Sequence, residues 1–222
     1  MTYTLIRAGR KTIALYIRNG ALEVRAPLKA SIHDIDKFVA SKGKWINDKL
    51  DESKRLLAQR EKFFITYGDS ILYRGRQCLI SEKEGNRAGF KDGHFFVPSG
   101  LAPEQIKHAC VRVYKMLARR DLRNKVKDFA EQMSVTPSAV RISCAKTRWG
   151  SCSTKKTINF SWRLIMADDD VIDYMVVHEL AHIKEMNHSA RFWAIVEGIL
   201  PDYKMRQKKL KELQRILSTE DW

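Results

Sequence analysis

Near the start of the chain, the pattern of apolar and polar residues predicts a β-hairpin followed by two helices. Two β-rich runs, 12–18 and 21–25, flank Asn19-Gly20, and this dipeptide favours the positive φ angles of a two-residue hairpin turn. Ser31 is a typical N-cap residue, and apolar residues follow it at helical spacing. A second helix is predicted from Lys42 to about Arg60.

The middle of the chain changes from a β-like pattern to a long helical one. Short apolar runs at 71–73, 77–80 and 95–97 are separated by glycine-containing turns, which predicts a meander of short strands. From Pro103 to Phe129, apolar residues recur at helical spacing, and proline suits the first turn of a helix. We therefore predict one long helix after the meander.

The last part of the chain combines two predicted strands with two predicted helices. The strands lie at 140–146 and 157–166, the second returning along the first, with a turn or bulge at Trp149-Gly150-Ser151. A helix is predicted from Val171 to about Asn187, and a further helix at 190–199 begins after a capping serine.

These elements predict an α+β fold in two domains. Residues 1–100 would form a basic N-terminal β-hairpin/helix region with the β meander, and residues 101–222 a helical core with a short sheet. The 222 residues are 44% hydrophobic, which is enough to bury an ordinary core. No run reaches the roughly 18 apolar residues of a membrane span. The chain start lacks a secretory h-region, and the four cysteines form no Cys-x-x-Cys pair, so we expect a cytoplasmic protein without a membrane partner.

The chain is strongly basic, with a formal net charge of +15. Basic residues exceed acidic ones by seven in residues 1–60 and by nine in residues 101–160. This surface suggests nucleic acid as a partner, although charge alone gives attraction without specificity, so an idle solvated surface is equally consistent with it. The polar side of the predicted long helix carries Lys107, Arg112, Lys115, Arg119, Arg120, Arg123, Lys125 and Lys127.

A metal-binding pattern lies in the helix predicted from Val171. His178 and His182 are four residues apart, so both imidazoles share one helix face. Glu179 lies where its carboxylate reaches a water bound to the same ion. Zincins have this arrangement, in which two histidines bind Zn²⁺ and the glutamate is the general base. We therefore expect Zn²⁺ as the cofactor, a zincin-like core and Glu179 as the catalytic residue.

His188 is the expected third ligand, because Asn187 tolerates the left-handed conformation that ends a helix and turns the chain back. Three protein ligands and one open position are typical of catalytic zinc sites. Glu197 on the following helix is the rival third ligand, by analogy with zincins that use a downstream glutamate. A buried histidine pair without metal is the remaining alternative.

Three motifs together resemble the YgjP-like metallopeptidase family. They are Thr147-Arg-Trp-Gly-Ser-Cys152, Ile158-Asn-Phe-Ser-Trp-Arg-Leu164, and the His178–His182 motif followed by Asn187-His188-Ser189-x-x-Phe192-Trp193. The close resemblance covers about residues 137–200, and the N-terminal half is similar more loosely. The resemblance implies a predicted metal-dependent hydrolase, distantly similar to SprT-like and Wss-like proteases that act on protein bound to DNA.

Three functions are consistent with these residues. The first is a zinc-dependent peptidase whose extended protein substrate adds to the strand pair, with Lys146, Arg148 and Trp149 as candidate substrate contacts. The second is a nucleotide pyrophosphohydrolase, because phosphate chemistry needs nearby cations. The third is a nucleic-acid-associated protein, or a protease acting on DNA-bound protein. The basic residues near the strand pair are Lys146, Arg148, Lys155, Lys156 and Arg163.

Overall fold

The computed structural model describes residues 2–222, which form six α-helices and ten strands in three sheets. The fold is α+β, as predicted. By contacts the chain divides into two units, one of residues up to 63 with 216–221 and one of residues 64–215 with Trp222. The strands that follow residue 63 thus group with the helical part, whereas the predicted division lies at residue 100. The ring of Phe95 packs 4.8 Å from that of Tyr114, which explains this grouping.

The first unit begins with a three-stranded sheet, β1 (Thr4–Ala8), β2 (Ala14–Arg18) and β3 (Ala21–Pro27), in the order β1-β3-β2. The predicted hairpin is confirmed: β2 and β3 are antiparallel, and Asn19 and Gly20 have φ angles of 50° and 74°. β1 pairs in parallel with β3 and was not predicted, because this short edge strand is mostly exposed and lacks alternation.

Two helices complete the first unit and confirm the predicted pair. α1 (Ile32–Ser41) begins where the Ser31 hydroxyl accepts a hydrogen bond from the Asp34 amide, and α2 (Gly43–Glu61) follows almost at once. Apolar side chains from β3 and both helices form the core of this unit. Its fully or nearly buried members are Leu22, Val24, Ala26, Ile35, Val39 and Ile46.

The second unit opens with a four-stranded sheet of β4 (Ser70–Tyr73), β5 (Arg76–Lys83), β6 (Gly89–Lys91) and β7 (His94–Pro98). The prediction of a meander is wrong, because the order is β4-β5-β7-β6 and β5 and β7 run parallel. The sheet therefore consists of two hairpins, β4–β5 and β6–β7, which are joined by the parallel pairing of β5 with β7. β7 contributes the fully buried Phe95 and Val97 and lies inside the sheet, whereas the half-exposed β6 forms the edge.

The predicted long helix is confirmed as α3 (Pro103–Gln132), which supports the rest of the unit. Its first turn is capped by the Gln105 side chain, which accepts a hydrogen bond from the Ala102 amide. Its buried face carries Tyr114, whose ring stacks 5.3 Å from that of Trp162. Among residues 2–222, none of the helices combines the length and apolar character needed to cross a bilayer.

The third sheet contains β8 (Ala139–Ser143), β9 (Gly150–Cys152) and β10 (Thr157–Ser161), in the order β8-β10-β9. Two predictions are corrected here. Gly150 and Ser151 lie in an edge strand antiparallel to β10, not in a turn, and β10 runs parallel to β8. The predicted returning strand also ends at Ser161 and continues as a 3₁₀ helix, Trp162–Met166. Four of these five residues are apolar, so the segment lacks the alternation that distinguishes a strand from a helical turn.

Three further helices follow in the chain: α4 (Asp169–Ala181), α5 (Ala190–Ile199) and α6 (Tyr203–Leu217), of which α4, α5 and α6 up to residue 215 belong to the second unit. α5 has the predicted bounds, and α6 was not predicted. α4 ends six residues earlier than expected, with His182 at its C-cap, and Asn187 is not among the residues with positive φ. Bonds from the Ile183 and Lys184 amides to carbonyls three residues earlier tighten the last turn and end the helix.

Candidate active site

The side chains of three histidines converge at the C-terminal end of α4. His178 lies in its last turn, His182 is its C-cap, and His188 lies in the segment that leads to α5. One ring nitrogen of each lies within 4.8 Å of the others, and the Nε2 atoms of His178 and His188 are 3.1 Å apart. His182 is buried and His188 is exposed, so the cluster opens to solvent on one side. The three histidines that the sequence grouped as candidate ligands thus lie together.

The donor set fits a metal ion. Nitrogen ligands of a tetrahedral zinc ion, each at about 2.0–2.1 Å, lie about 3.3 Å from one another, close to the separation of the His178 and His188 nitrogens. Burial lowers the pKa of His178 to about 3, and neighbouring His182 and His188 add to this effect. Burial also lowers the pKa of His182. Both rings are therefore neutral near pH 7, which is the form that binds metals.

The orientation of His182 favours ligation through Nε2. Its Nδ1 atom lies 3.2 Å from the backbone carbonyl of Glu185, so the neutral ring donates its proton there and leaves the Nε2 lone pair available. The Nδ1 atom of His178 is buried, and no group among residues 2–222 forms a hydrogen bond with it. A cation shared by the facing nitrogens of His178 and His188 would remove the repulsion between two lone pairs.

Aromatic side chains from α5 hold the histidine rings in place. The ring centroid of fully buried Phe192 lies 5.0, 4.6 and 4.7 Å from those of His178, His182 and His188. Trp193 stacks on the exposed His188 at 5.7 Å, and Tyr203, at the start of α6, stacks on Trp193 at 5.2 Å. The apolar wall limits the positions that His188 adopts, although its own segment is irregular.

Glu179 follows His178 in the last turn of α4 and is only 3% exposed. Its Oε2 atom is buried and has no hydrogen-bond partner among the described residues. Burial raises the pKa of Glu179 to about 8, and the positive charge of Arg148 opposes that rise. An unpaired buried carboxyl group is costly for stability, and groups of this kind cluster at functional sites.

Gly150 gives the Glu179 carboxyl group its space. A Cβ atom at position 150 would lie 2.5 Å from Oε1 and 2.8 Å from Cδ of Glu179. The carboxyl group therefore packs against the backbone of β9, and only glycine permits that approach. Sequence reasoning placed Gly150 in a turn and missed this role, because the contact joins residues that are 29 positions apart in the chain.

The other predicted residues have different surroundings. Arg148 and Lys146 are exposed in the segment before β9, and Trp149 is half-buried there. Arg163 is only 8% exposed: it donates to the Cys144 carbonyl and packs 4.5 Å over the Trp162 ring, so it does not face solvent as a phosphate contact. Glu197 is exposed, and the cluster found among residues 2–222 does not include it.

Comparison with known families decides the class of protein. Residues 11–213 match the profile of the family described as YgjP-like, metallopeptidase domain. The chain belongs to the YgjP-like metallopeptidase family. Membership supports a metallopeptidase, which is a hydrolase that depends on a metal cofactor and acts on peptide or protein substrates. The resemblance found in the sequence motifs is thereby confirmed, and it extends over most of the chain.

Two solved structures have partial similarity to the chain. The zymogen of the metallopeptidase jannalysin from Methanocaldococcus jannaschii is 24% identical, with a TM-score of 0.38, over 43% of this chain and 97% of that chain. The zymogen of the metallopeptidase abylysin from Pyrococcus abyssi is 25% identical, with a TM-score of 0.36, over 44% of this chain and 92% of that chain. No curated protein matches the chain.

Proposed function

We propose that the protein is a zincin-type peptidase in which His178, His182 and His188 bind Zn²⁺ and Glu179 is the general base. One observation carries this proposal. Three ring nitrogens lie within 4.8 Å of one another, and the residue that follows the first of these histidines on the same helix carries a buried carboxyl group without a hydrogen-bond partner among residues 2–222. Three protein ligands with one side open to solvent are typical of catalytic zinc sites, whereas structural zinc sites have four.

The choice of metal follows from the donors. Imidazole nitrogens suit zinc, and the carboxylate cluster that Mg²⁺ or Ca²⁺ prefers is not part of this group. A Zn²⁺ ion held here would polarise a peptide carbonyl and lower the pKa of a water ligand toward about 7. We place Zn²⁺ rather than Mg²⁺ or Ca²⁺ at the site on these grounds.

Glu179 supplies the proton transfers. Its Oε2 atom has no partner among residues 2–222. Burial by itself favours the protonated carboxyl group, whereas the positive charge of a bound Zn²⁺ would favour the carboxylate, which accepts a proton from the attacking water. The same carboxyl group then donates that proton to the nitrogen of the leaving amine. The bond formed is that between the water oxygen and the carbonyl carbon, and the bond broken is the peptide C–N bond.

β9 offers a place for an extended substrate. It is the terminal strand of its sheet and pairs with β10 on one side only. A peptide that adds to its other edge forms backbone hydrogen bonds without regard to sequence. Gly150 of this strand contacts Glu179, so a peptide added here runs past the general base. We propose Lys146, Arg148 and Trp149, which precede the strand, as substrate contacts.

An activity assay with an isosteric variant tests the proposal. We expect the zinc-loaded protein to cleave an unfolded protein, and Glu179→Gln to retain zinc while its rate falls by roughly 10²–10⁴-fold, because an amide does not accept the proton. Glu197→Gln, an exposed glutamate on α5, is the matched control and should cleave normally. Nucleoside triphosphates are tested as a second class of substrate. Hydrolysis of triphosphates without peptide cleavage, or an active Glu179→Gln, would reject the proposal.

A further inference from the structure

Five basic residues lie in a line along one face of α3, which we call the α3 stripe. They are Arg112, Lys115, Arg119, Arg123 and Lys127. Successive members are three or four residues apart, so their side chains lie within an arc of about 120° on one helix face. All are exposed except Lys115, which is half-buried. At 1.5 Å per residue the stripe is about 22 Å long.

The three other basic residues that the sequence assigned to this helix have partners and do not belong to the stripe. Lys107 is buried and pairs with Glu104 at 2.9 Å, and Lys125 pairs with Asp173 at 2.5 Å. Arg120 pairs with Asp121 at 2.5 Å and donates to the Tyr73 hydroxyl at 3.1 Å. The sequence treated all eight basic residues of the helix alike. The structure shows that these three pair with acidic groups of the protein itself, which leaves the five stripe residues to bind a partner.

The charge of the stripe is unbalanced within the molecule. None of its five members forms an ion pair or side-chain hydrogen bond with another residue among 2–222. Asp121 is the only acidic residue between positions 112 and 127, and it is buried and already paired. Like charges four residues apart destabilise a helix. Repulsion within the stripe therefore lowers the stability of the isolated chain. We expect a negatively charged partner to neutralise the stripe.

We propose that the α3 stripe binds the phosphate backbone of a nucleic-acid duplex. Phosphates of one strand advance about 3.4 Å along the duplex axis, so a 22 Å stripe spans about six of them. Three of the five members are arginines, whose planar guanidinium groups bind phosphate oxygens through two hydrogen bonds. Because the stripe matches the phosphate backbone in length and opposes it in charge, it would contact phosphates and would not read the bases.

The composition of the face favours a duplex over other anionic partners. Single strands are held by aromatic side chains that stack on bases, and this face has no aromatic residue between positions 112 and 127; its only large apolar member is Met116. A membrane surface needs a helix with an exposed apolar side, but the apolar side of α3 is buried in the core. DNA and RNA duplexes share the phosphate chemistry, and the experiment separates them.

Fluorescence anisotropy with the full chain tests this inference, which does not depend on the proposed peptidase activity. The probes are labelled duplex DNA, duplex RNA and single-stranded DNA, with polyglutamate as an acidic polypeptide competitor. Five phosphate contacts predict a slope of about −4.5 for log affinity against log salt, which is about a 500-fold loss between 50 and 200 mM. The triple variant Arg112→Gln, Arg119→Gln, Arg123→Gln should reduce the slope to about −1.8, a loss of about 12-fold.

A matched variant controls for total charge. Arg87, Lys208 and Lys211 are exposed cations of the same unit outside α3, and changing all three to Gln removes the same formal charge. We expect this variant to keep a slope near that of the unmodified chain. Because the α3 changes remove like-charge repulsion, the stripe variant should unfold at the same or a higher urea concentration, so loss of binding is not loss of fold.

Four results would overturn the inference. The first is that neither duplex binds at 50 mM salt, and the second is that the stripe and control variants weaken duplex binding equally. The third is that single-stranded DNA binds more tightly than either duplex. The fourth is that polyglutamate displaces the labelled duplex at concentrations comparable with those of unlabelled duplex. The last would assign the stripe to an acidic protein. A preference between duplex DNA and duplex RNA identifies the source of the phosphates and supports the inference either way.

Discussion

The position of the Glu179 carboxyl group depends on the absence of a side chain at residue 150. In Gly150→Ala, the new Cβ lies within 2.8 Å of three Glu179 atoms, so the carboxyl group or the strand must shift. Misplacement of a catalytic group by about 1 Å costs up to about 10²-fold in rate. We expect kcat for peptide cleavage to fall about tenfold to a hundredfold, while the histidine cluster keeps its metal.

Gly89→Ala is the control for that change. Gly89 also lies in a strand, and a Cβ atom there would have no neighbour within 4 Å. We expect its kcat and zinc content to remain unchanged. Full activity in Gly150→Ala, measured beside an inactive Glu179→Gln, would show that the close approach has no role in positioning the carboxyl group, while leaving the proposed peptidase function intact.

The third ligand is a separate question at the residue scale. His188→Ala removes one of the three converging nitrogens, so we expect zinc affinity to fall by more than the about 10–100-fold that loss of a ligand's hydrogen-bond partner costs. Elemental analysis after dialysis against a weak chelator measures this. Glu197→Ala should retain about one zinc per chain. If zinc is lost from Glu197→Ala and retained in His188→Ala, the ligand assignment is wrong.

At the scale of elements, α5 fixes the end of the segment that carries His188 and positions Phe192 and Trp193 against the histidine rings. Ser189 caps this helix, since its hydroxyl accepts from the Phe192 amide at 3.2 Å. Ser189→Ala should cost about 1 kcal/mol of the free energy of unfolding and should also weaken zinc binding, because His188 is the preceding residue. Urea denaturation and zinc titration measure the two effects.

Ser31→Ala provides the comparison for Ser189→Ala. Ser31 caps α1 in the same way, through the Asp34 amide at 3.0 Å, and lies in the other compact unit. We expect a similar loss of stability and no change in zinc affinity. Equal effects of both substitutions on zinc binding would mean that capping acts through general destabilisation and not through the position of His188.

Local signals explain which elements were predictable. α1 and α5 begin at capping serines, and the hairpin turns at Asn19-Gly20, so neighbouring residues determine these features. The order of the second sheet was not predictable, because it depends on β7 burying Phe95 and Val97 in the interior of the sheet. Helical spacing predicted that His178 and His182 share a face, whereas Asn187, expected to turn the chain and bring back His188, does not have a positive φ. Gly150 meets Glu179 only through long-range packing.

At the scale of the whole molecule, the three histidines of the proposed metal site belong to one compact unit and the β1–β3 sheet to the other. We expect zinc to stabilise the unit that contains the proposed ligands, because the three histidines come together only in the folded state. At a free zinc concentration 1,000 times the dissociation constant, the expected gain is about 4.1 kcal/mol. Chelation should therefore lower the unfolding temperature of the wild-type protein and leave a His178→Ala, His182→Ala double variant unchanged.

Hydrogen exchange with and without zinc locates this stabilisation along the chain. Amides of α4 and α5 should gain the most protection, because these helices carry or support all three histidines. Amides of β3, whose core residues Leu22 and Val24 pack with the N-terminal helices, should change little, because that core is formed within the first unit. Equal protection of β3 and α4 would mean that the two units unfold together. Protection of β3 alone would place the zinc site elsewhere and contradict the ligand assignment.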